Sequence, residues 1–278
     1  MFSPWYALAR RRRGDGAADP LDHPALNVAL YGAPRRWALT ERPRAAVRRD
    51  ADRLAIGPSA LEWDGACLTL RVEEVTAPLP SRLRGTVRLW PEADLDRRTF
   101  ALDAAGRHRW TPLAAVSRVE VEFERPAGLR WSGRAYLDSN EGDAPLERDF
   151  VAWDWCRAPL PSGAGTAILY EGTRRDGSDF ALALRARASG GVEEVEPPPP
   201  AALPPTRLWR MPRRTRAEGG AARATGTLED TPFYSRSVLS TRLLGEDATA
   251  VHESLSLDRF RRPVVQAMLP FRVPRAFR

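Results

Sequence analysis

Ser117-Arg118-Val119-Glu120-Val121-Glu122-Phe123-Glu124 alternates without a fault, putting Val119, Val121 and Phe123 on one side of an extended chain and Arg118, Glu120, Glu122 and Glu124 on the other. A period of two means one face on a core and one in water, which is how an antiparallel sheet reads. Working outward, the pattern returns at Leu68, Leu70 and Val72, at Val87 and Leu89, and at Phe180, Leu182 and Leu184. Tight-turn signals separate the runs: Asp64-Gly65, Ala105-Gly106, Asp176-Gly177, Gly190-Gly191 and Gly245-Glu246-Asp247. Many short strands joined this way predict an all-β barrel or sandwich. No long amphipathic helix competes, and the 25 prolines act against one. Asp50 to Leu54 and Leu257 to Phe260 are expected to give at most a turn of helix each.

A chain of 278 residues has room for one large all-β unit or two compact domains. Composition breaks at two places. One is Pro159-Leu160-Pro161-Ser162-Gly163; the other is residues 197–205, where six of nine are proline and the backbone should be extended polyproline II. Strand patterning resumes at Thr166 to Glu171, so the first break is the expected boundary, giving domains 1–160 and 161–278. The proline run is then a connection inside the C-terminal half, with Arg207 to Arg216 as its solvated continuation.

All 43 basic residues are arginine, so a P-loop lysine, a Schiff-base lysine and a kinase-type lysine are excluded. The formal charge of +7 favours anionic partners, although an Ala-, Arg- and Pro-rich composition produces such a charge by itself. Nucleic-acid binding would show a basic helix or aromatics interleaved with a basic groove, and neither is legible. Two cysteines, Cys67 and Cys156, and three histidines, His23, His108 and His252, are too scattered for a disulfide framework or a metal motif, so no metal is expected. Neither a GxSxG elbow nor a complete dinucleotide fingerprint occurs, so no cofactor is expected. In Met1 to Gly14 the apolar residues precede the arginines, the reverse of a secretory signal, and no apolar run reaches the ~20 residues of a spanning helix. The expected compartment is the cytoplasm or a membrane face in contact with it.

Chemistry concentrates at Tyr136-Leu137-Asp138-Ser139-Asn140-Glu141-Gly142-Asp143, after the strand-like Leu129 to Ala135. Asp138-x-Asn140 begins like a calcium loop, but the glycine comes one place early and the twelfth position is Asp149. A solvated acidic turn is the bland reading. The functional reading puts Asp138 at a strand end in an aromatic-lined mouth, where burial raises its pKa and lets it act as an acid. Trp110, Trp131, Tyr136, Trp153 and Trp155 are the aromatics close in sequence, and nine tryptophans suit a large apolar ligand. His108 and Trp110, two apart, would share one face of a strand.

Several long strings carry a resemblance. They are Phe2-Ser3-Pro4-Trp5-Tyr6, Asp22-His23-Pro24-Ala25-Leu26-Asn27-Val28-Ala29-Leu30-Tyr31-Gly32, Arg36-Trp37-Ala38-Leu39-Thr40-Glu41-Arg42, Ile56-Gly57-Pro58-Ser59 and Ala77-Pro78-Leu79-Pro80. To these add Tyr136-x-Asp138-Ser139-Asn140-Glu141-Gly142-Asp143, Trp153-Asp154-Trp155, Leu228-Glu229-Asp230-Thr231-Pro232-Phe233-Tyr234-Ser235-Arg236 and His252-Glu253-Ser254-Leu255-Ser256-Leu257-Asp258-Arg259-Phe260. Nearly end to end the chain resembles the carotenoid 1,2-hydratases, also called hydroxyneurosporene synthases. The resemblance implies two tandem lipocalin-like β-barrel halves and cofactor-free addition of water to the terminal C1=C2 bond of an acyclic carotenoid. It implies that Asp138 is the acid, with Tyr136, His108 and Trp110 in support. Members of that family carry a further aromatic-rich strand segment ahead of the Phe-Ser-Pro string, so the first barrel is expected to lack a strand.

Such a substrate lives in a bilayer, so peripheral association with an anionic membrane through the arginines is expected. The competing class is a lipocalin-like carrier that binds an apolar ligand and does no chemistry.

Overall fold

The computed structural model describes residues 3–13 and 18–276. Met1, Phe2 and Gly14, on which part of the N-terminal reading rests, lie outside them. Antiparallel strands dominate, as the period of two predicts. The chain divides into two compact units, Met1–Trp90 with Arg118–Gly133 and Gln266–Arg278, and Pro91–Ser117 with Arg134–Val265. This corrects the boundary expected at 160/161. Strands Phe150–Pro159 and Gly165–Arg174 are antiparallel neighbours with Pro159 opposite Thr166, so the composition break is the turn of a hairpin inside the second unit.

An eight-stranded sheet runs in the order Leu129–Gly142, His108–Arg125, Arg82–Pro91, Leu68–Val75, Ser59–Trp63, Arg53–Ile56 and Val47–Arg49, with Phe100–Ala101 beside His108–Arg125 off that path. The founding stretch lies in His108–Arg125 with Val119, Val121 and Phe123 buried and its charged partners exposed. Two helical readings need correction. Asp50 to Leu54 makes no helix, because Arg53–Ile56 is a strand. Pro4–Arg13 is a ten-residue helix that period analysis missed. Its causes are local: Ser3 Oγ accepts from Tyr6 N–H at 2.8 Å, Pro4 suits the first helical position, and Ala, Leu and Arg follow, the arginines at the negative end of the dipole. Leu257–Phe260 is the expected single turn, capped by the Ser256 side chain.

In the second unit a seven-stranded sheet runs Val192–Val195, Asp179–Arg187, Gly165–Arg174, Phe150–Pro159, Glu246–Ser256, Tyr234–Leu243 and Ala222–Asp230. One face supplies the core, with Cys156, Ala158, Leu169, Ala183, Leu239 and Ala250 packed together with Leu203. Arg207 to Arg210 is exposed as expected, but much of the rest of 197–216 packs on this sheet, which corrects the solvated reading there. Pro200–Ala202 pairs as a strand with Arg214–Arg216, and Met211, Arg213 and Thr215 are buried. The arginines are bound: Arg213 donates to Ser237 Oγ at 3.0 Å, Arg214 to Asp154 at 3.1 Å and Arg216 to Glu171 at 3.0 Å.

Candidate active site

The opposite face of that sheet, together with one end of Leu129–Gly142, builds a cavity of about 410 Å³ inside the second unit. Alternation puts Tyr136, Asp138 and Asn140 on one face of their strand, and Trp153, Trp155 and Arg157 on one face of theirs. Register supplies the rest. Trp155 is paired with Tyr170 on one side and Glu253 on the other, and Glu253 with Arg236, so one rung brings four side chains from four strands to the cavity wall.

Asp138 is the chemical centre. Trp110 donates its indole N–H to Asp138 Oδ2 at 2.8 Å, and the Tyr136 hydroxyl donates to the same oxygen at 3.2 Å. Oδ1 has no hydrogen-bond partner among the described residues. Burial pushes the Asp138 pKa up, and the hydrogen bonds from Trp110 and Tyr136 and the Arg157 charge offset only part of that. With Oδ2 committed as a double acceptor, Oδ1 is the oxygen that carries the proton whenever the group is in its acid form. Around it the rings pack edge to face: Trp110 against Tyr170 at 5.3 Å and Trp153 against Tyr170 at 5.6 Å between centroids. Tyr136 packs against Trp155 at 5.2 Å, and its own pKa is driven well up, chiefly by burial.

Of the expected site residues, Asp138, Tyr136 and Trp110 come together, while His108 does not reach Asp138. It donates Nε2–H to Asp149 Oδ2 at 2.7 Å and packs its ring on Phe150 at 5.0 Å, so it fixes the strand that carries Trp110. The acidic segment splits into two parts. Arg109 grips both oxygens of Asp143 at 2.9 and 3.0 Å and holds that carboxyl below its usual range, as a solvated turn would have it. Asp138 and Asp149 bond to separate partners, so the ligand set of a calcium loop is not assembled. Trp131 is 48% exposed and does not line the cavity.

Sequence reasoning missed Arg157, Tyr170, Arg236 and Glu253. Arg157 carried a faint signal, being two past Trp155 in a strand. It lies 5.4 Å from the Tyr136 ring centre, with no hydrogen bond or ion pair among the described residues. The other three arrive through strand pairings remote in sequence.

Fold and site together define an antiparallel β protein that holds a carboxyl group of raised pKa in an aromatic cavity. The chain belongs to the carotenoid hydratase CrtC family, matching it over residues 1–278. It is 60% identical over 277 residues to an acyclic carotenoid 1,2-hydratase of Thiocapsa roseopersicina, covering 99% of this chain and 67% of that one. A protein of the same description from Cereibacter sphaeroides is 41% identical, with 99% and 95% covered. A crystal structure described as AttH from Nitrosomonas europaea shares the fold, with a TM-score of 0.52 and 14% identity over 84% of this chain and 85% of that one. The resemblance drawn from the sequence strings therefore holds, as does the all-β class.

Proposed function

We propose that this chain hydrates the terminal C1=C2 bond of acyclic carotenoids, with Asp138 as the acid. The observation that carries the reading is the Asp138 carboxyl group, its pKa raised by burial, with two donors on Oδ2 that leave Oδ1 to carry the proton of the acid form. Proton transfer to carbon is the demanding step, and it needs a neutral acid held against an apolar chain away from bulk water. The π pair of the alkene takes the Oδ1 proton at C2, leaving a tertiary cation at C1, which a water oxygen captures. The faces of Tyr136, Trp153 and Trp155 offset the developing charge, each contact being worth about 0.5 to 2 kcal/mol. No electron changes hands, so the step asks for no redox group, and with Asp138 supplying the proton it runs without a Lewis acid.

A cavity of about 410 Å³ is suited to a small ligand, so it takes one end of the long hydrocarbon. The remainder stays in the bilayer while the protein docks on the cytoplasmic face of an anionic membrane. Among the described residues no helix is long and apolar enough to cross a membrane. Support for docking comes from the first unit, where Arg11, Arg12 and Arg13 are exposed and Leu8, Leu21, Met268 and Phe271 offer apolar side chains to solvent.

Incubation with lycopene or neurosporene in detergent, followed by chromatography and mass analysis, tests the reading. A product heavier by one water is expected, at the same rate with EDTA or with added nicotinamide or flavin. Bound but unchanged pigment would make the chain a carrier, a reading that leaves the Asp138 arrangement without use. Loss of activity in EDTA that calcium restores would overturn the cofactor-free step.

A further inference from the structure

Hydration has a second half. When water captures the cation, the new C1–O bond leaves an oxonium that must lose a proton, and a base near the attacking water speeds that loss. Two carboxyl groups line the cavity, from different sheets: Asp138 on Leu129–Gly142 and Glu253 on Glu246–Ser256. Their surroundings differ. Asp138 meets two neutral donors, whereas Glu253 Oε1 accepts from the Arg236 guanidinium across the rung, and Arg236 is braced by the Tyr234 hydroxyl at 3.0 Å. Glu253 Oε2 is left without a hydrogen-bond partner among the described residues. The cavity is also rich in donors that lack acceptors. The indole N–H groups of Trp153 and Trp155 are buried and unpartnered, and Arg157 makes no hydrogen bond among the described residues. Such a wall has places for water that a purely hydrocarbon pocket would not need.

We infer that Glu253 is a second catalytic residue, the base that takes the proton of the attacking water at Oε2 while Arg236 holds its Oε1. This assignment rests on the hydration reading above. The balance is closed. Asp138 gives H⁺ to C2 and becomes a carboxylate, the water oxygen bonds to C1, and its proton goes to Glu253. A cavity water then carries that proton back to Asp138 for the next turn. Two carboxyl groups set apart by their neighbours into acid and base is a recurring division of labour.

The test compares the wild-type protein with Glu253→Gln on lycopene in D₂O. Capture in the variant should be about a hundredfold slower, while pigment binding is unchanged. The uncaptured cation then loses a proton instead, so recovered pigment carries deuterium at C2 or a double bond moved onto a methyl group. Glu253→Asp, which withdraws the carboxylate without removing it, should give an intermediate rate with the same deuterium signature, and it decides the matter alone if the Gln variant does not fold. Wild-type turnover in these variants overturns the assignment. So does slow turnover with no deuterium in recovered pigment, which would leave Glu253 only a prop for Arg236. Absence of hydrated product from the wild-type protein is a separate result, since it contradicts the hydration reading itself.

Discussion

Trp110 and Tyr136 act on Asp138 in two opposed ways: their hydrogen bonds aim the carboxyl group, and they also favour its charged form. The enzyme needs the proton, so turnover should fall as pH rises through the Asp138 pKa, at a midpoint above the ordinary carboxylate value of about 3.9. Removing either donor raises that pKa further. Trp110→Phe and Tyr136→Phe should therefore slow turnover at neutral pH yet move the basic limb of the kcat profile to higher pH. A shift to lower pH would mean that the limb belongs to another group. At this scale the sequence was informative where residues are local. Alternation placed Tyr136, Asp138 and Asn140 on one face, but nothing in His108-x-Trp110 says that the histidine turns to Asp149 instead.

Strands were legible because burial on one face writes a period of two into the chain. What covers the other side of a sheet writes nothing comparable. Arg207 to Arg216 reads as solvated, yet Arg213 is buried because Pro204 O and Ser237 Oγ accept its N–H groups, and Arg214 and Arg216 find Asp154 and Glu171. A Pro- and Gly-containing hairpin turn looks like a linker until its flanking strands are seen to pair, which is why the boundary at 160/161 failed. Glu253, Arg236 and Tyr170 share a rung with Trp155 only through such pairings. His252 lies in this same sheet, on its core face. Its Nε2–H goes to Arg214 O at 2.6 Å, Nδ1 is buried without a partner, and burial holds its pKa down to about 4. The folded pKa lies below the unfolded value of 6.5, so this contribution to stability is full above about pH 6.5 and is lost as pH falls towards 4. The total is about 3 kcal/mol. Denaturant unfolding should show wild type losing stability relative to His252→Gln across that window, because the amide keeps the donor and does not titrate. A flat difference would show that His252 does not titrate on unfolding.

For the whole molecule, access to the substrate decides whether the cavity is used. If docking is electrostatic, sedimentation with anionic vesicles should fall steeply as the Debye length shrinks from about 10 Å at 0.1 M salt to about 3 Å at 1 M, with poor binding to neutral vesicles throughout. Binding that persists in high salt and is equal on both lipids would move the anchor to the apolar side chains of Leu8, Leu21, Met268 and Phe271. Electrostatic docking and apolar docking both serve the same chemistry, and that chemistry stands or falls on one carboxyl group. The most direct measurement is hydration of lycopene by Asp138→Asn, with pigment binding followed in parallel. The amide is nearly isosteric and has no carboxylic proton, so the account predicts bound pigment and no product heavier by one water. Turnover in that variant above a small fraction of wild type would contradict it and leave Asp138 a structural carboxyl group of its strand.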